Sequence, residues 1–343
     1  MGYYSYLEWM AKNTPTQWCN DSVLLQEVND GINLGGAVGC TSNPPLSYQA
    51  LTKQPEIYTE EIAKIPAGLS KDERALELIG CVVRDMSKRL MPMYESTDKK
   101  YGYVRTQVQP EIADDGEAML EMGKVMASWG KNVMVKIPGT KAGIWTLEEL
   151  AALGIPTNPT VCIATAQAVA VGEAYERGRA RAIAAGITPA PSTAAVVMGR
   201  LSDFMLKKDP NANAEYIHWA VLAIIKNMFA EYKKRGFHSQ LMPAAFRTPF
   251  QVSELAGVDC CMTVTPKVQK AIAELDAVNP IPRELRFDAP VDKKYFDYAA
   301  SLGPEFEQAY YADGLTIDEF KTWEPIIVTL DGFDKGWRQL YEL

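Results

Sequence analysis

A lysine inside an apolar run is the residue type in this chain best suited to covalent chemistry. In the segment Asn132-Val133-Met134-Val135-Lys136-Ile137-Pro138, strand alternation puts Val133, Val135 and Ile137 on one face and Lys136 with Met134 on the other. Strands of a parallel sheet are apolar on both faces. An inward Lys136 must therefore be satisfied or functional. Desolvation lowers the basicity of a lysine and supplies the free amine that attacks a carbonyl. The other reading is a stem that packs along the strand while its ammonium reaches water at the strand end. Two more segments bear on the choice. Arg105, Gln107 and Gln109 share the face opposite Val104 and Val108, which is too polar for a sealed interior and predicts a hydrated pocket. Asp21 follows the first strand-like run directly. It either caps a helix over 22–34, the role local sequence favours, or aims its carboxylate into the pocket.

The elements that must hold these residues show the rhythm of a parallel sheet covered by helices. Eight short strand-like runs occur at 16–20, 37–41, 103–108, 133–137, 157–162, 194–197, 240–243 and 260–264. Between them lie helical patterns over 22–34, 74–91, 114–129, 147–153, 164–185, 214–234 and 266–276. Alternating units of this kind predict an α/β protein, a (β/α)8 TIM barrel, or a doubly wound sheet, with eight strands suiting the barrel. In such barrels the catalytic groups sit at the C-terminal ends of the strands, where Lys136 and Asp21 fall. The pattern changes after Asn279. The expected organisation is a catalytic barrel domain over residues 1–279 and a helical C-terminal extension over 280–343 packed on it. The extension is rich in aromatics, Tyr295, Phe296, Phe306, Phe333 and Trp337 among them, which read as packing rather than ligand stacking.

Charge and composition narrow the function classes. With 35 Lys and Arg against 43 Asp and Glu the formal charge is −8, which argues against a nucleic-acid partner. An anionic small molecule would have to be met by local arginines. The first ten residues carry no basic start or apolar stretch, and no run of about 18 apolar residues occurs, so a cytoplasmic protein with no membrane partner is expected. Six cysteines lack CxxC spacing and read as buried free thiols. The histidines, His218 and His238, form no metal-binding motif, and neither metal nor cofactor is expected. A homo-oligomer is the default expectation.

The segments taken together resemble the transaldolase family, within the class I, Schiff-base-forming aldolase superfamily, over about residues 17–270. Gly39-Cys40-Thr41-Ser42-Asn43-Pro44 is similar to the family's G-x-T-[ST]-N-P signature, and Val133 to Pro138 to its Schiff-base lysine strand. Later family segments are resembled in order by Gly154 to Thr160 with Ala166-Gln167-Ala168, Gly199-Arg200, Ala245-Phe246-Arg247, Leu255 to Asp259 and Thr263-Val264-Thr265-Pro266. The resemblance implies a TIM barrel in which Lys136 forms an iminium with a ketose phosphate and Asp21 takes a proton from the hydroxyl beside the bond that breaks. Thr160 would help hold a catalytic water. Asn43, with Ser42 beside it, would bind the dihydroxyacetone portion, and Arg200 and Arg247 the distal anion. The implied reaction is transfer of a dihydroxyacetone unit to an aldose acceptor, as in the pentose phosphate pathway.

The chain also departs from that pattern. Gln107 stands where ordinary transaldolases have a glutamate, and an amide exchanges no proton. The fructose-6-phosphate aldolase branch shares this glutamine but adds a tyrosine in the fifth strand, matched here to Ile163. Ala195 and Ala245 replace serines of the anion site, which weakens the case for phosphate and admits another anion such as a sulfonate. Two further readings stay open: a Schiff-base aldolase without an obligatory acceptor, and a non-catalytic barrel that binds sugar phosphates.

Overall fold

The computed structural model describes residues 2–343. After a first helix, α1 (Ser5–Asn13), strand and helix alternate: β1 (Gln17–Asn20), α2 (Leu25–Gly35), then β2 (Gly39–Thr41). Three helices follow β2, namely α3 (Pro44–Lys53), α4 (Pro55–Ile62) and the long α5 (Lys71–Ser96). The middle of the chain runs β3 (Tyr103–Gln107), α6 (Gly116–Ser128), β4 (Val133–Pro138), α7 (Lys141–Ala152), β5 (Thr157–Thr160) and α8 (Thr165–Ala184). Next come β6 (Thr193–Val197), α9 (Met198–Lys208), α10 (Ala214–Arg235), β7 (Gln240–Ala244), α11 (Pro249–Ser253), β8 (Cys261–Val264) and α12 (Pro266–Val278). The last stretch holds α13 (Lys293–Ser301), α14 (Glu305–Tyr310) and α15 (Glu324–Gln339).

All eight expected strands form, and every pairing is parallel. Six of them make one curled sheet in the order β5-β4-β3-β2-β1-β8, and β6 pairs with β7 separately. Bridges from Thr157 to Ser192 and from Cys162 to Val196 connect the β5 segment to β6, and β7 lies beside β8. The β5 strand stops two residues short of the expected run because Val161 sits at φ +56°. A β-branched residue rarely adopts that left-handed conformation, and the turn there ends the ladder.

The inner faces of these strands hold polar side chains that meet one another directly. Arg105 of β3 donates to Thr193 of β6 at 3.3 Å and to the Cys19 sulfur of β1 at 3.2 Å. Asn158 of β5 donates to the Thr193 hydroxyl at 2.9 Å and lies 3.7 Å from the Met242 sulfur of β7. Cys19 and Cys261 of β8 bring their sulfurs to 3.4 Å. The expected hydrated pocket along β3 is thus replaced, at Arg105, by a sealed network, since only 4% of that residue is exposed. Gln109 leaves this face altogether. It lies beyond the end of β3 and donates to Asp72 near the start of α5 at 2.9 Å. All six cysteines are buried free thiols.

Helix starts show why the sequence folds this way locally. Ser70 and Glu73 form a reciprocal capping box that fixes the first turn of α5. Short α3, which periodicity alone did not reveal, is set by Asn43 as N-cap with Pro44 and Pro45 in its first turn. That helix carries the C-terminal segment. Gly336 of α15 packs so closely on Pro45 that an added Cβ would lie 2.4 Å from the proline ring. Trp337 donates its indole N–H to Asp72 at 2.8 Å, and the Tyr341 hydroxyl reaches the same carboxylate. The C-terminal aromatics do pack as expected, for example Tyr295 stacked on Trp219 at 5.4 Å and Phe296 edge-on to Phe306 at 5.0 Å. Phe333 has an additional position, described below.

Candidate active site

The C-terminal ends of the strands surround a narrow cavity of about 50 Å³. Its walls include Asp21, Asn43, Lys136, Thr160, Ala195, Arg200, Ala245, Thr263 and Phe333. Lys136 is 6% exposed, and its ammonium donates to the backbone carbonyl of Ser42 at 3.0 Å. Burial pushes its pKa down to about 8, with the guanidinium groups of Arg105 and Arg200 acting in the same direction and Asp21 opposing them. At neutral pH roughly one lysine in ten is then a free amine, against about one in three thousand for an ordinary lysine. The inward, functional reading of Lys136 fits this geometry, because the side chain is enclosed rather than extended to solvent.

Asp21 caps no helix. Helix α2 begins only at Leu25 and its N-cap, Leu24, makes no side-chain cap. The turn after β1 is held instead by Ser22, whose hydroxyl accepts from the Leu24 N–H at 3.1 Å and donates to Glu27. That frees the Asp21 carboxylate to face the cavity, where Thr41 donates to it at 2.6 Å. The Thr41 hydroxyl is also 2.7 Å from that of Thr263. With one proton per hydroxyl, the chain runs from Thr263 to Thr41 to Asp21, so both threonines orient the carboxylate. Neither was singled out by sequence reasoning, although both stand inside the quoted motif segments.

Gln107 lies beside Lys136 in register, 2% exposed, and its carbonyl oxygen has no hydrogen-bond partner among the described residues. Asn43 uses its side-chain oxygen to cap α3, accepting from Leu46 at 3.0 Å. This fixes the amide, so its NH2 is the end available to a ligand. Ser42 contributes differently from the expectation. Its hydroxyl is fully buried against Ser47 at 2.9 Å, and only its carbonyl reaches the site, as the acceptor for Lys136. Thr160 ends β5 on the cavity wall, immediately before the left-handed Val161. Ala245, another wall residue, is also left-handed at φ +60°. Such backbone costs on the order of 1–3 kcal/mol each and gathers at functional sites. Ile163 is buried in the hydrophobic core beyond β5 and is not part of the wall.

The two arginines are not equivalent. Arg200, near the start of α9, reaches the cavity and rests its guanidinium on the Phe333 ring, 5.2 Å from the centroid. Burial and the charge of Arg247 both lower its pKa. Arg247 is instead clamped by Asp203 through bonds of 2.8 and 2.5 Å, donates to the Ala245 carbonyl at 2.7 Å, and does not line the cavity. Gly199 leaves room for this arrangement, since a Cβ there would meet the Ala245 carbonyl at 1.9 Å and the Arg247 guanidinium at 2.7 Å. Among the described residues no group of three His, Cys, Asp or Glu side chains converges to hold a metal.

A parallel α/β protein with an enclosed, partly deprotonated lysine, a carboxylate held by two hydroxyls and a cationic far wall has the equipment for imine chemistry on a small anionic carbonyl compound. The chain belongs to the Transaldolase/Fructose-6-phosphate aldolase family, which it matches over residues 18–316. It is 37% identical over 154 residues to "Transaldolase 1" of Streptomyces avermitilis, an alignment covering 44% of this chain and 40% of that protein. It is 34% identical over 154 residues to "Transaldolase" of Thiobacillus denitrificans, covering 44% and 43%. A longer alignment of 309 residues, at 28% identity, joins it to "Transaldolase 2" of Nostoc punctiforme and covers 79% of this chain and 80% of that one. Over its best-matching stretches the chain therefore spans less than half the length of the first two relatives.

Proposed function

We propose that this protein transfers a dihydroxyacetone unit from a ketose phosphate to an aldose acceptor through a Schiff base on Lys136. The observation that carries the proposal is the enclosed lysine, at a pKa of about 8, sharing one small cavity with Asp21. The free amine attacks the ketose carbonyl and loses water to give an iminium. Asp21 takes the proton of the C4 hydroxyl as the C3–C4 bond breaks, and the electron pair moves into the iminium to form an enamine. The released aldose leaves, the enamine adds to the acceptor aldehyde, and water frees the new ketose. Thr160 and Gln107 orient that water, Asn43 donates its NH2 to the dihydroxyacetone hydroxyls, and Arg200 meets the distal anion. Arg247 acts through its field, because its donors are held by Asp203.

The reading extends to the architecture. The eight strands form a closed (β/α)8 barrel, supported by the β5–β6 bridges, the nearness of β7 to β8 and the inner side chains of seven strands in mutual contact. Residues 1–279 make the catalytic domain, with 280–343 as the extension fixed on α3. Six unpaired cysteines suit a reducing, cytoplasmic setting.

Borohydride reduction with fructose 6-phosphate is expected to fix a three-carbon adduct on Lys136, located by peptide mass spectrometry. Absence of an adduct with every ketose tried refutes the proposal and favours a binding-only barrel. A second reading, aldol cleavage without an obligatory acceptor, is favoured by Gln107, whose amide supplies no proton. Release of dihydroxyacetone without erythrose 4-phosphate distinguishes it from transfer.

A further inference from the structure

We propose that Phe333 of the C-terminal helix α15 is a specificity-determining residue that holds Arg200 edge-on to the distal anionic group of the ligand. The inference rests on the site reading above, but on different residues. Phe333 lines both the 50 Å³ cavity around Lys136 and the wider 430 Å³ cavity outside it, and so does Arg200. The ring is 6% exposed and borders both spaces, as Asp21 and Asn43 also do. A guanidinium lying over an aromatic face presents its N–H groups outward in its own plane, where a tetrahedral anion accepts them in pairs. Arg200 makes no side-chain hydrogen bond to any described residue, whereas Arg247 has committed its donors to Asp203 and to backbone carbonyls. Arg200 is therefore the arginine in the cavity wall with donors to spare, and Phe333 decides where they point.

Packing contacts brace the ring. One turn beyond Phe333, Gly336 is in contact with Pro45, and Trp337 is tied to Asp72. Pro45 lies two residues after Asn43, in the first turn of the helix that Asn43 caps. The group proposed to bind the dihydroxyacetone end and the ring that fixes the distal cation are thus braced against each other through one packed contact. This sets the distance a ligand must span between them.

The test measures binding of inorganic phosphate by calorimetry, and KM for fructose 6-phosphate, in the parent chain, Phe333→Leu and Phe333→Tyr. Loss of the ring face in Phe333→Leu is expected to weaken phosphate about fivefold and to raise KM more than it lowers kcat, as removal of a cation–π contact does. Phe333→Tyr keeps the face and restores both values, which a merely space-filling role does not require of an aromatic over leucine. Equal phosphate binding in the parent and Phe333→Leu, or none in the parent, overturns the inference. Borohydride trapping on the parent chain is scored separately. A missing adduct with a persisting phosphate difference sinks the Schiff-base reading alone, and an adduct with unchanged phosphate binding sinks the role of Phe333 alone.

Discussion

Replacing Lys136 by methionine keeps the apolar stem and removes an amine that the fold holds at a lowered pKa. A lysine at about 8 in the folded chain, against about 10.5 unfolded, binds its proton less well when folded. The unfolded state therefore carries more protons between those values, and the destabilisation is fully present below about pH 8 and is relieved as pH rises toward 10.5. That lowering corresponds to about 3 kcal/mol at pH 7, falling to about 1 kcal/mol at pH 9.5. Lys136→Met is expected to be more stable than the parent by about these amounts in urea unfolding, and to melt roughly 4 °C higher at neutral pH for a chain of this length. The same variant forms no borohydride adduct. A methionine variant that is less stable than the parent at pH 7, or a gap that widens as pH rises, would refute the claim that burial depresses this lysine.

Three more outcomes follow from the same geometry. Asp21→Asn should still trap dihydroxyacetone on Lys136 but lose about 10²- to 10⁴-fold in donor cleavage, measured as aldose release, because only the proton acceptor is removed. An equal loss of trapping would mean that Asp21 acts before the bond breaks. Gln107→Glu sets a carboxylate beside the lysine in the strand register. It should raise the pH at which adduct formation is half-maximal by about one unit, read from trapping rates across pH, and an unmoved profile counts against their proximity. Arg105→Met removes a buried cation whose immediate partners are the Cys19 thiol and the Thr193 hydroxyl rather than a carboxylate. The Cys19 thiol is held below its usual pKa by the hydrogen bond with Cys261 and by Arg105, so the parent should show ultraviolet thiolate absorbance at mildly alkaline pH and the variant should lose it. Its persistence would show that Arg105 does not favour the thiolate.

Much of the fold was legible because parallel strands and amphipathic helices leave periods of two and 3.6 residues that need no partner to be read. All eight strands and seven of the helices fall where those periods put them. Helices α1, α3, α4, α9 and α11 escaped, since α1, α3, α4 and α11 are short and α9 follows β6 with no intervening turn. At the site, Lys136 was readable from its own strand because a charged residue among valines has few explanations. Asp21 was not. Its neighbours fit an N-cap equally well, and only the start of α2 at Leu25 and the Thr41 hydroxyl decide for the cavity.

What the sequence determined by itself is the order of elements, the inward side of β4 and the family signatures. Those depend on side-chain type and local spacing. Tertiary structure alone decided which polar groups have partners. The capture of Arg247 by Asp203 couples residues far apart in the chain, and so do the sealing of Arg105 against Cys19 and the placing of Phe333 over Arg200. Each depends on the close approach of separate elements, and no local period encodes that distance.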